Sequence, residues 1–83
     1  MAIPEDADLE RLAEVTLALL SLTAFPGLSY TRAWRVFDWD LLDLLHERGW
    51  ILDPKGKSMS VVFTPEGTEV ARAAFARYFT RRR

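Results

Sequence analysis

The chain contains no cysteine, so it has no disulfide framework, no thiolate nucleophile and no thiolate metal ligand. It has a single histidine, His46, which excludes a two-histidine metal site. Neither a glycine-rich phosphate loop nor a nucleophile elbow occurs. A Ser-His-Asp set can be assembled on paper from Ser58 or Ser60, His46 and Asp43, but nothing in the spacing selects it. The expectation is therefore no catalytic residue, no metal ligand and no cofactor: the chain reads as a non-enzyme. Long apolar runs are missing as well. The longest, Val15 to Phe25, is interrupted by Thr16, Ser21 and Thr23 and is too short for a bilayer core of ~30 Å. The start, Met-Ala-Ile-Pro-Glu-Asp-Ala-Asp, is acidic where a secretory leader needs positive charge. A soluble, cytoplasmic protein with no membrane partner is expected.

What the chain does have is core-forming material. Its 83 residues are 49% hydrophobic, which argues against disorder and for one domain spanning residues 1–83. A domain this small buries only ~60–65% of its unfolded surface. Stability must come from packing, helped where possible by self-association. Net charge is −1, so no overall field attracts a polyanion. The distribution is uneven, however. Residues 1–14 carry five acids against Arg11, a net of −4, and residues 64–83 carry five arginines against Glu66 and Glu69, a net of +3.

Periodicity places a first helix from about Glu5 to Thr23, with Pro4 near its first turn and acids complementing its positive end. Leu9, Leu12, Ala13, Thr16 and Leu20 form one stripe; Val15, Leu19 and Leu22 add a second. The later half is apolar nearly all round, so it needs cover on more than one side, from the last helix or from another copy. Phe25-Pro26-Gly27 ends it. Leu28 to Tyr30 suits a short edge strand, and Thr31 to Phe37 a short second helix with Ala33, Trp34 and Phe37 inward. Asp38 is placed to cap a third helix, WDLLDLLHER, and Gly49 to end it in the left-handed conformation. His46 is placed to act on the carbonyls of that helix end. Trp50 to Leu52 and Met59 to Phe63 read as strands around a turn bearing Pro54 and Gly56. Thr64-Pro65 starts a last helix whose inward stripe is Val70, Ala71, Ala74, Phe75, Tyr78 and Phe79. Gly67 takes the place of the glutamate that a full capping box would have. The three tryptophans are expected to build a small core between the second helix and the sheet.

The stretch LLDLLHERGWILD followed by VVFTPEG resembles the third helix, wing and exit of the MarR and PadR regulators. Over its full length, including FDWDLLDLLHERG, the chain also resembles a group of short uncharacterised bacterial proteins, which carry no known function. The first resemblance implies an α+β, helix-dominated, winged-helix-like fold: three helices, a small antiparallel hairpin or sheet, and a C-terminal helix. It further implies a wing at Lys55 and Lys57, where MarR-like proteins carry arginines that enter the minor groove.

Charge argues against the usual recognition helix. At 100° per residue, Leu41, Leu42 and Leu45 face the core, while Asp40, Asp43 and Glu47 fall on the opposite side. Leu44 borders that acidic stripe on one edge, and Trp39 and His46 border it on the other. Affinity for DNA comes largely from cations that release counterions, and each like-charge pair at ~4 Å costs about 1 kcal/mol even in water. The sequence therefore favours a protein-contact surface at Trp39, Asp40, Asp43 and Glu47, with a second copy of the chain as partner in a dimer. The alternative is a DNA-binding regulator using Arg32, Arg35, Lys55 and Lys57.

Overall fold

A computed structural model describes residues 3–26, 31–34, 37–54 and 60–81. Three helices and a three-stranded antiparallel sheet make an α+β, helix-dominated fold. Helix α1 (Leu9–Leu20) runs into a 3-10 turn, Ser21–Thr23. Strands β1 (Ala24–Pro26) and β2 (Thr31–Trp34) follow, then α2 (Trp39–Glu47), β3 (Ser60–Val62) and α3 (Pro65–Phe79). The sheet order is β1-β2-β3, so the middle strand is β2. The expected edge strand at Leu28 to Tyr30 lies outside the described residues.

Helix α1 begins later than its composition suggests. Asp8, in extended conformation, accepts a hydrogen bond from the Arg11 amide at 3.0 Å and so caps the helix. Pro4 belongs instead to a preceding turn, in which the Ala7 amide donates to the Pro4 carbonyl. That turn folds Ile3 back against the core. Ala13, Thr16, Leu17, Ala18 and Leu20 are buried. The main cover of α1 is α3, with α2 second. Leu19 and Leu22 remain exposed.

Thr31 to Phe37 is not a second helix: its first four residues are β2. Pairing decides this, because β2 is bonded on both edges, with Ala33 opposite Ala24 and Val61 and Arg32 opposite Phe25 and Val62. The two-residue period turns Ala33 into the core and Trp34 out to 54% exposure. The tryptophans therefore do not form a common core. Trp50 is buried, whereas Trp39 is 43% exposed.

The expected strand at Trp50 to Leu52 is reduced to one bridge, Ile51 opposite Phe63, with the Leu52 amide donating to the Val62 carbonyl at 2.9 Å. Val61 and Phe63 point inward as their alternation predicts; Met59 is outside the described residues. Asp38 stands at the N-cap of α2, but its side chain makes no capping bond.

The end of α2 and the start of α3 are joined directly. Gly49 has φ +78°. Its amide donates to the His46 carbonyl, and the Trp50 amide to the Leu45 carbonyl, the paired bonds that close a helix through a left-handed residue. Thr64 then grips this closure. Its amide donates to the Trp50 carbonyl at 3.0 Å, and its hydroxyl donates to the Gly49 carbonyl at 2.7 Å while accepting from the Gly67 amide at 2.9 Å. A Cβ on Gly67 would stand 1.9 Å from the Trp50 carbonyl oxygen, which explains why no capping-box glutamate fits there. Gly67→Ala is expected to destabilise the domain by about 1–3 kcal/mol, since backbone rather than a mobile side chain must give way. Urea unfolding monitored by tryptophan fluorescence measures it.

Candidate functional site

Asp40, Asp43 and Glu47 all lie on the outward side of α2, as the helical wheel predicts: Asp40 and Glu47 are exposed and Asp43 half-buried. None of the three forms an ion pair among the described residues. Nor does any group of three or more His, Asp or Glu among those residues stand where it could hold a metal ion.

The carboxylates do not form a plain solvated ridge. Leu44, which borders them, is buried. Ile3, folded back by the Pro4 turn, and Leu9, at the first turn of α1, border the same groove. Together Ile3, Leu9 and Leu44 with Asp40, Asp43 and Glu47 line a groove of about 340 Å³. Its apolar side comes from the N-terminal segment and Leu44, and its charge from α2. Trp39 stands on the far edge of the acidic stripe from Leu44 and is exposed.

The three acids are poorly placed for stability. Asp40 in the first turn suits the helix dipole, but Glu47 is the last residue of α2, at the negative end. Asp43 stands three residues from Asp40 and four from Glu47, so both spacings set like charges side by side.

A second surface, not singled out by the sequence, lies where the 3-10 turn meets α3. Ser21, Leu22, Ala71, Arg72, Phe75, Ala76 and Thr80 line a groove of about 410 Å³. Leu22 is 66% exposed, and Phe79 is 43% exposed with its ring centroid 5.4 Å from that of Phe75. The signal for it was the second apolar stripe of the first helix, extended by Leu22 beyond the helix end.

Of the residues proposed for a nucleic-acid role, Arg32 alone is among the described residues. Arg32 lies on β2, and its Nε donates to Ser60 Oγ at 2.9 Å. Arg35, Lys55 and Lys57 lie outside the described residues, as does Ser58. His46 Nδ1 stands 3.0 Å from the Ile51 carbonyl oxygen. A carbonyl only accepts, so the ring carries its proton on Nδ1 and ties the helix end to the bridge residue rather than to the helix carbonyls. Ser60, His46 and Asp43 thus do not line up as a relay.

Part of the charge asymmetry is closed within the chain. Glu14 accepts from the Tyr78 hydroxyl at 2.8 Å and lies 3.5 Å from Arg77 Nη1, linking α1 to α3. Arg72 pairs with Glu69 at 3.6 Å, with both side chains more than 70% exposed; such a pair is weak.

Comparison with known proteins adds a family and no activity. Residues 8–81 match the family described as a domain of unknown function, DUF6429. The chain is 43% identical over 76 residues, 92% of its own length and 99% of the other's, to the uncharacterized protein y4hR of Sinorhizobium fredii. No solved structure matches.

Replacing Glu47 by lysine reverses an unfavourable dipole contact and turns the Asp43 spacing from repulsive to attractive. Glu47→Lys is expected to stabilise the folded chain by about 0.5–1 kcal/mol at low salt, with the gain shrinking as salt rises. Chemical denaturation at two ionic strengths reads the sign.

Proposed function

The chain belongs to the DUF6429 family, a domain of unknown function, and from the surfaces it presents we propose that it is a non-enzymatic, winged-helix-like protein-interaction module of the cytoplasm that associates with itself. The observation that carries the reading is the outward side of α2. Where a recognition helix would offer cations to phosphate, this one offers Asp40, Asp43 and Glu47 beside exposed Trp39. Acidic side chains next to apolar and aromatic ones suit a protein partner, for which tryptophan is a favoured anchor.

The winged-helix relation rests on element order. A helix, a small antiparallel sheet, a Leu-rich helix closed by glycine, and a strand leading through Thr64-Pro65 into the last helix are compatible with it. The second helix of a helix-turn-helix is replaced by β2, which moves Arg32 from a helix to a sheet. This weakens the competing reading, a DNA-binding regulator using Arg32, Arg35, Lys55 and Lys57, because Arg32 Nε is already engaged by Ser60.

Self-association is supported by the large apolar side chains left outside the core of so small a domain, Leu22 and Phe79 among them. Sedimentation velocity across micromolar to millimolar concentration is expected to show a reversible dimer. Leu22→Ser with Phe79→Ser should shift it toward monomer by about tenfold or more in dissociation constant. A strict monomer at every concentration overturns the self-association. Salt-sensitive retention of duplex DNA at low ionic strength, lost when Lys55 and Lys57 become alanine, replaces the reading with the DNA-binding one.

A further inference from the structure

The groove beside α2 is lined half by apolar side chains, Ile3, Leu9 and Leu44, and half by carboxylates, Asp40, Asp43 and Glu47. Neither half is satisfied within the chain. Leu9 is 46% exposed, and none of the three acids forms an ion pair among the described residues. The basic helix does not answer them: of the two arginines in α3, Arg72 pairs with Glu69 and Arg77 with Glu14. A second copy therefore brings no unengaged cation of α3 to this groove. What fits it is apolar along one line, positively charged beside that line, and supplied by another molecule.

The acids also set the shape of what binds. Asp40, Asp43 and Glu47 stand three and four residues apart on α2, rises of about 4.5 and 6 Å at ~1.5 Å per residue. These bracket the ~5.4 Å at which a helix lying alongside repeats its own face. Both fall short of the ~6.7 Å repeat of one face of a strand.

We propose that the groove takes a basic amphipathic helix from a different protein, with its apolar stripe on Ile3, Leu9 and Leu44 and its lysines or arginines on the three carboxylates. This rests on the reading of α2's outward side as a protein-contact surface and names the occupant. Glu47 is the strongest point for a cation, because as the last residue of α2 its carboxylate adds to the negative end of the helix. Binding relieves the repulsion between Asp43 and the acids on either side of it. The same charge turns a polyanion away from this groove.

The test uses two synthetic peptides of identical leucine and lysine content. In one, the leucines fall on a single helical face flanked by lysines; in the other, the order is scrambled so that no face forms. Calorimetry at low and physiological salt reads the affinity, and amide shifts in NMR read the place. The patterned peptide is expected to bind about tenfold or more tightly than the scrambled one, to shift residues of the groove, and to weaken as salt rises. Asp43→Asn with Glu47→Gln removes two charges without changing side-chain size, and circular dichroism checks that the variant folds. It is expected to lose about tenfold or more in affinity for the patterned peptide. Leu9→Ser tests the apolar half and is expected to cost about fivefold.

The proposal is overturned if the scrambled peptide binds as well, if the shifts fall away from the groove, or if the neutralised variant binds unchanged. It is overturned too if the patterned peptide dissociates a wild-type dimer, which makes a second copy the occupant. A wild-type monomer that binds the patterned peptide in the groove upholds the proposal and removes the self-association alone, so the two failures are told apart.

Discussion

Thr64 ties the closed end of α2 to the start of α3. One residue supplies three bonds in two directions: amide to the Trp50 carbonyl, hydroxyl to the Gly49 carbonyl, and hydroxyl oxygen to the Gly67 amide. The closed end of α2 and the open start of α3 therefore become one unit, with the Ile51–Phe63 bridge beside it. Two glycines are needed for opposite reasons. Gly49 adopts a positive φ, and Gly67 leaves room for a carbonyl that any Cβ would strike. Because α3 is the main cover of α1, the orientation of α2's outward side relative to both other helices is inherited from this junction.

That junction was largely readable beforehand. Gly49 as a left-handed closure and Thr64-Pro65 as a helix start are local signals, carried by residues whose backbone preferences do not depend on distant contacts. The same holds for Leu41, Leu42 and Leu45 as the inner side of α2 and for the acids opposite them. What could not be read were the decisions taken by distant partners. Thr31 to Trp34 has no helix breaker, and its apolar spacing fits a short helix as well as a strand; pairing with Ala24 and Val61 settles it. Trp34 faces outward for the same reason. Leu44 borders the acids on the wheel, and Ile3 and Leu9, far away in sequence, line one groove with it and with them.

The charge asymmetry shows the same division. An acidic start and a basic end are plain from composition, and pairing between copies is one way to satisfy them. Glu14 instead meets Tyr78 and Arg77 of its own chain, consuming part of the opposition internally. The acids of α2 are not drawn into that arrangement. They stay where they repel one another and where Glu47 opposes the helix dipole.

The bond between Glu14 and Tyr78 joins residues 64 positions apart, and the central strand is likewise completed by β3 across the whole of α2. Such long-range closure has a consequence during synthesis. As the chain leaves the ribosome, Leu17, Leu20 and their neighbours on α1 emerge before the segment that shields them has been translated. Until Ala71 and Ala74 follow, the first helix lacks its main cover and has only α2 to pack against, which leaves apolar surface open to contact between nascent copies.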